Sequence, residues 1–165
     1  MKDKQEKTNV MRILEREKIP YTAHFYTGEG SPDGDREYGL HVAQAMGQDP
    51  GQVFKTLVAQ GASGGYYVFD VPVAESLDLK KAAKAVGEKS IELLPVAKLS
   101  AVTGYIRGGC SPVGMKKRYP TVFHWTVLDW PTVYVSAGKP GAQVEVTPQN
   151  LLPLLGALSA DIIVE

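Results

Sequence analysis

Residues 103–120 read TGYIRGGCSPVGMKKRYP: a short strand expected up to Arg107, two adjacent glycines, a Ser-Pro turn, a third glycine and a basic triplet. Gly108 and Gly109 carry no Cβ, so the backbone there can take positive φ and bring its N–H groups to contact distance of a ligand. Carbonyl or phosphate oxygens suit such donors. Ser111 can cap or donate from its hydroxyl, and Pro112 fixes the following turn while withholding a backbone donor. Lys116, Lys117 and Arg118 then set three positive charges just beyond the turn. An ordinary glycine-rich hairpin followed by a solvated basic loop accounts for the same residues, and the local sequence leaves both readings open.

Upstream, Pro95–Val102 is expected as a helix leading into this stretch. Before it, Asp78 is placed to cap a helix whose Leu79, Ala82, Ala83 and Val86 fall at i, i+3, i+4 and i+7, with Gly87 as the residue that ends it. Val53–Gln60, VFKTLVAQ, alternates as a strand with Val53, Lys55 and Leu57 on one face and Phe54, Thr56 and Val58 on the other. Both faces are largely apolar, and lysine is seldom buried without a partner. Lys55 is therefore either an inward-pointing charge that protects an edge strand, its stem reaching to water, or a cation on a cleft floor that meets an anionic or carbonyl group. GASGG and Tyr66–Val71 complete a hairpin with this strand.

At the N-terminal end, Thr8 is placed to cap a helix through about Glu17, with Val10, Met11 and Leu14 as its apolar stripe and Pro20 as its limit. Tyr21–Tyr26 reads as a strand. The polar GEGSPDGDRE, with Asp33, Asp35 and Glu37, suits a mobile surface segment over or beside a site. Tyr38–Met46 follows as a helix closed by Gly47, and Asp49-Pro50 as the start of one short turn. Beyond residue 120, Thr121–Trp125, Thr132–Ser136 and Gln143–Val146 read as strands, with a turn over Gly138–Gly141. Thr147 and Pro148 start a last helix that Pro153 should shorten or kink, and Asp161–Val164 is expected to add a final strand. No repeat or linker interrupts the chain, so one domain of mixed strands with peripheral helices is expected.

The chain's 165 residues are 44% hydrophobic and 22% charged, which suits a single globular domain able to bury its own core. No apolar run is long enough to span a bilayer, and MKDKQEKTNV lacks the apolar region of a secretory signal, so a cytoplasmic location without membrane contact is expected. Cys110 is the sole cysteine, which rules out an internal disulfide and a cysteine-built metal cluster. His24, His41 and His124 lie far apart without ligand spacing. Neither a metal nor a cofactor is expected. The formal net charge is zero, yet Lys80–Arg118 holds nine Lys or Arg against Glu88 and Glu92. Such a local excess can attract phosphate even in a neutral protein, although Lys80, Lys81 and Lys84 equally serve to solvate a helix face.

A Ser-His-Asp hydrolase fits poorly, because Ser111 precedes proline and none of the histidines stands in a nucleophile-base pattern. Cys110 sits beside glycines and cations that could favour a thiolate, but a lone cysteine more often packs inertly. An isolated strand lysine, a glycine pair and a basic patch together suit polarisation of an ester carbonyl in a phosphate-rich substrate.

VFKTL around Lys55, LDLKKAAKAVG from Leu77, TGYIRGGCSPVGMKKRYPT from Thr103 and TVYVSAGKPG from Thr132 resemble, in order, the YbaK/EbsC family of aminoacyl-tRNA deacylases, which is related to the editing domain of bacterial prolyl-tRNA synthetases. The resemblance covers most of residues 1–165, and within the family it is nearest the Cys-tRNA deacylase branch. It implies an α+β fold with a mixed, mainly antiparallel, partly closed, barrel-like sheet and peripheral helices. It also implies that Lys55 orients the 3′-terminal adenosine and the aminoacyl ester. Gly108, Gly109 and Ser111 then line the same pocket, Tyr26 is its aromatic residue, and Lys116, Lys117 and Arg118 meet tRNA. Cys110 falls where relatives commonly carry an apolar residue, which argues against a nucleophile.

In the Cys-specific branch, the resemblance implies that the substrate thiol attacks its own ester while the protein positions groups and stabilises charge. One position departs. Where that branch has an aspartate, this sequence has Gln143, which keeps a hydrogen-bonding carbonyl and loses the negative charge. Two readings of substrate follow, Cys-tRNA(Pro) or Cys-tRNA(Cys) on one side and another small mischarged amino acid such as alanine on the other. The implied partners are the CCA end of aminoacyl-tRNA and prolyl-tRNA synthetase in a ternary complex, with no DNA. A catalytically silent tRNA- or synthetase-binding module is the rival from a different class.

Overall fold

The computed structural model describes residues 7–27 and 38–165. The polar segment Gly28–Glu37 lies outside the described residues. The elements run in order α1 (Asn9–Arg16), β1 (Thr22–Phe25), α2 (Tyr38–Ala45), β2 (Phe54–Gly61), β3 (Tyr66–Pro72), α3 (Leu79–Val86), β4 (Ile91–Leu93), α4 (Val96–Thr103), β5 (Thr121–His124), a 3-10 turn (Trp125–Asp129), β6 (Val133–Ser136), β7 (Ala142–Val146), α5 (Pro148–Leu155) and β8 (Leu158–Ala160).

The helix ends follow local chemistry. Thr8 accepts from the Met11 N–H at 3.3 Å and Asp78 from the Lys81 N–H at 3.0 Å, each satisfying a donor that the first helical turn leaves unpaired. Gly87 ends α3 in the left-handed region at φ 75°, where a side chain would be strained. α5 runs through Pro153 and stops two residues later, at Leu155.

The strands form two sheets. One is three-stranded in the order β1-β7-β6, all antiparallel; the other is five-stranded in the order β4-β2-β3-β5-β8, with β3-β5 and β5-β8 parallel. The architecture is α+β and mainly antiparallel, as expected, but the sheets are not closed into a barrel. Between β2 and β6 the backbone link is an isolated bridge, Val53 with Tyr134, too little pairing to continue one sheet into the other. α1, Val127, Val133, Val144 and Leu151 fill the main core with Phe54 and Phe123, which pack ring against ring at 5.8 Å. α3 covers the opposite face of the larger sheet through Ala82 and Ala83 against Phe69, Val71 and Val122. Burial of these side chains is the main stabilising term.

Two strand expectations are corrected. Thr103–Arg107 is no strand: Thr103 closes α4, its hydroxyl donating to the Leu99 carbonyl at 2.8 Å and accepting from the Tyr105 N–H at 3.0 Å, and Gly104 then turns the chain at φ 87°. The Tyr105 N–H is thereby bonded to a side chain and is not available to a strand ladder. The final strand is Leu158–Ala160, not Asp161–Val164. Parallel pairing with β5 begins at Leu158, just past Gly156, the residue that caps α5, and residues beyond Ala160 meet the start of α3 instead, the Asp78 N–H donating to the Ile162 carbonyl at 2.8 Å.

Candidate active site

β2 is the element that builds the site. The Val73 N–H donates to Val53, and the Gly61 N–H to Gly65, so odd-numbered residues of β2 turn their peptide groups towards β3; the Leu94 N–H donates to Val58, so even-numbered ones face the other edge. β4 covers that edge only from Ala59 to Gly61. The Thr56 peptide group is thus left on an open edge, and a cavity of about 250 Å³ lies there between the two sheets.

Lys55, Tyr26, Gly108 and Gln143 all line this cavity, brought together from β2, the end of β1, the loop after α4 and β7. Gly108 sits at φ 86°, a conformation that L side chains resist. Burial pushes the Tyr26 phenol well up, with the Gly141 backbone opposing in part, so its hydroxyl stays neutral beside Tyr38. The walls are Val42, Val53, Val73 and Val135.

Gly109 and Ser111 do not line the cavity; they hold its loop from behind. The Gly109 N–H already donates to the Ile106 carbonyl at 3.0 Å, and a Cβ at Gly109 would come within 2.8 Å of the Lys139 Cα and the Pro140 ring. The missing side chain lets two loops of this chain approach each other, not a ligand. Ser111 is fully buried and accepts from the Val113 N–H at 3.2 Å.

The basic triplet also lies apart. Lys116 Nζ donates to the Ala101 carbonyl at 3.3 Å and Arg118 Nη2 to the Leu154 carbonyl at 3.2 Å, so these cations sit at the carbonyl-rich ends of α4 and α5. Lys117 and Arg118 line a separate cavity of about 150 Å³ with Ile13 and Tyr119.

Two cavity features escape the sequence reading. Arg107, directly before Gly108, brings a second cation to the cavity that Lys55 lines; its signal was its place at the mouth of the glycine pair. Asp70, on β3, lies fully buried under the cavity wall. Thr56, a lining residue, donates from Oγ1 to Asp70 Oδ1 at 2.6 Å, while Oδ2 is buried without a partner. Burial pushes this carboxyl up to about 8, with the Thr56 bond opposing, so it carries a proton at neutral pH. An acid between Phe69 and Val71 was the available signal, of the same kind as Lys55.

Cys110 also faces the cavity. Burial pushes the thiol up to about 12, helped by Asp70 once that carboxyl ionises at high pH, so the thiol is protonated at neutral pH and a poor nucleophile. Gln143 lines the cavity with its carbonyl already accepting a bond. Gln48 Nε2 donates to Gln143 Oε1 at 2.8 Å, so that carbonyl already has a partner within the protein.

An α+β fold that sets two cations, a left-handed glycine and a neutral phenol around a small cavity makes a site suited to an anionic or carbonyl-bearing group. The aminoacyl-tRNA editing domain profile matches residues 40–154. A protein of Enterococcus faecalis with the provisional name Cys-tRNA(Pro)/Cys-tRNA(Cys) deacylase EbsC is 43% identical over 161 residues, 98% of this chain and 96% of that one. The crystal structure of a protein provisionally described as a trans-editing enzyme for prolyl tRNA synthetase superposes with a TM-score of 0.79 at 28% identity, covering 98% of this chain and all of that one. A hypothetical protein superposes with a TM-score of 0.83 at 21% identity over 95% of this chain and all of that one, a likeness of fold. The chain belongs to the aminoacyl-tRNA editing domain family, in line with the resemblance of its motifs.

Proposed function

We propose that this protein is a trans-editing deacylase that removes cysteine from mischarged tRNA. The observation that carries the reading is the convergence of Lys55, Arg107, Gly108, Tyr26 and Gln143 on one cavity whose cysteine is held as a thiol. At about 250 Å³ the cavity falls just below the size of drug-sized ligand sites, so it takes the aminoacyl end and leaves the terminal base at the mouth. Lys55 and Arg107 supply positive charge for the terminal phosphate and ester oxygens, and the Gly108 and Thr56 peptide groups lie beside the carbonyl.

With no activated protein nucleophile among the described residues of the cavity, the substrate supplies its own. Its thiol sulfur bonds to the ester carbonyl carbon, the bond from that carbon to the ribose oxygen breaks, and the thiol proton passes to the ribose oxygen. A cyclic thiolactone and an uncharged tRNA leave. The protein contributes orientation and charge stabilisation, both large terms for an intramolecular step.

Gln143 favours a second reading, since a pocket without the carboxylate of the Cys-specific branch could prefer another small residue such as alanine. A panel of preformed Cys-, Ala- and Pro-tRNA decides: release of cysteine alone supports the proposal, and release of alanine with Cys-tRNA left intact overturns its specificity. No turnover on any of the three would favour a silent tRNA-binding module. We place the protein where tRNAs are charged, in the cytoplasm, with prolyl-tRNA synthetase as the partner that supplies tRNA selection; loss of discrimination between tRNA(Pro) and tRNA(Cys) on omitting the synthetase would test this.

A further inference from the structure

Gln143 is 5% exposed and faces the cavity from β7, pinned by backbone pairing to His24 on one side and Ser136 on the other. With the backbone fixed and the side chain buried, the rotation of its terminal amide decides which group meets the cavity. Gln48, in the connection between α2 and β2, settles that rotation by donating from Nε2 to Gln143 Oε1 at 2.8 Å. Gln48 Oε1 is itself buried without a partner. Turning both amides over would put an N–H₂ group into that enclosed spot, and buried orphan N–H groups are rarer in proteins than under-satisfied carbonyls.

We propose that Gln48 is a positioning residue that locks the Gln143 carboxamide with its N–H₂ towards the cavity, so that the site reads a hydrogen-bond acceptor of the bound aminoacyl ester. The acceptor is the ester carbonyl or a ribose oxygen, whereas a carboxylate at Gln143 would read a donor. The inference rests on the deacylase reading for the identity of its ligand. It explains how a chain lacking the acid of the Cys-specific branch still presents a defined polar group: a neutral donor aimed at an oxygen that gains negative charge as the ester is attacked.

Three substitutions of Gln48 separate orientation from packing. Gln48→Glu keeps the volume but can only accept while ionised, so Gln143 turns over and shows the cavity its carbonyl. Gln48→Lys can only donate and keeps the Gln143 carbonyl engaged. Gln48→Ala leaves the amide unlocked. The positioning role gives kcat/KM in the order wild type, Lys, Ala, Glu, with Gln48→Glu about tenfold or more below wild type, the loss expected when a hydrogen bond becomes a clash of acceptors. Activity of Gln48→Glu relative to wild type should recover as pH falls and the introduced carboxyl regains a proton to donate. A packing role gives the opposite order for Glu and Ala and no such recovery.

Calorimetry with a non-hydrolysable 3′-cysteinylamido-adenosine gives a readout independent of turnover, with affinities in the same order. If wild type cleaves none of the aminoacyl-tRNAs but the affinity order holds, the deacylase reading fails and the role of Gln48 stands. If wild type cleaves Cys-tRNA while Gln48→Glu matches or exceeds Gln48→Ala in turnover, or if the analogue binds all four proteins equally or none of them, the positioning role is overturned. Should Gln48→Glu fail to fold, Gln48→Met takes its place, since it fills the volume and can neither donate nor orient the amide: the positioning role puts it level with Gln48→Ala and below Gln48→Lys, whereas a packing role puts it near wild type.

Discussion

Thr56 Oγ1 stands 2.6 Å from Asp70 Oδ1 on the neighbouring strand, joining a cavity-lining hydroxyl to a carboxyl that is fully buried and pushed up to about 8. An aspartate in the unfolded chain titrates near 4, so between about pH 4 and pH 8 the folded protein holds a proton that the unfolded chain has released. The stability due to this group is fully present below that window and is lost as pH rises through it, at a limit of about 1.4 kcal/mol per pH unit. Asp70→Asn keeps an acceptor for Thr56 and does not titrate. Urea unfolding between pH 5 and pH 9 should show the variant gaining on wild type as pH rises; parallel curves would mean that Asp70 is ionised when folded.

Gly109 is where the loop after α4 touches the Lys139-Pro140 turn. Gly109→Ala drives a methyl group to within 2.8 Å of backbone and ring atoms that have no flexible end to yield. A destabilisation of roughly 1–3 kcal/mol is expected, as for other overpacked sites. Because Gly108 and Cys110 flank this contact and line the cavity, deacylation should fall as well. Thermal melting together with turnover checks it, and an unchanged melting temperature would refute the close approach.

Cys110 tests the assignment of the nucleophile to the substrate. Held as a thiol up to about pH 12, it should be dispensable: Cys110→Ala is expected to stay within a few-fold of wild type in kcat, and iodoacetamide should label the protein slowly at neutral pH. A loss of several hundredfold on this substitution would return the nucleophile to the enzyme.

The parts that were legible in the sequence share a physical basis. Thr8, Asp78 and Gly87 act through bonds to residues a few positions away, so their neighbours suffice to read them. Lys55 stood out because its strand is otherwise apolar, and Asp70 could have been singled out on the same ground. What stayed hidden depends on contacts distant along the chain. Gly109 looked like a ligand cradle until Lys139 was placed against it, and the triplet looked like a phosphate patch until Lys116 and Arg118 met the ends of α4 and α5. The engagement of the Gln143 carbonyl by Gln48 spans 95 residues, which no local pattern encodes.

The cations of the chain should therefore divide into two functional sets. Lys55 and Arg107 line the cavity where the ester is placed, and charge aimed at a developing oxyanion acts mainly on kcat. Lys55→Ala should lower turnover by about 10²-fold or more while most of the tRNA affinity remains. Arg107→Ala should weaken binding as well as turnover, because a half-buried guanidinium that still reaches solvent can meet phosphate too, and its salt slope should shrink by roughly one counterion. Lys117, exposed and outside the cavity, contributes to encounter alone, so Lys117→Ala should alter the salt dependence of binding and leave single-turnover rates intact. Filter binding across a salt series, paired with single-turnover deacylation, reads both effects. Equal loss of single-turnover rate in Lys117→Ala and Lys55→Ala would overturn this division.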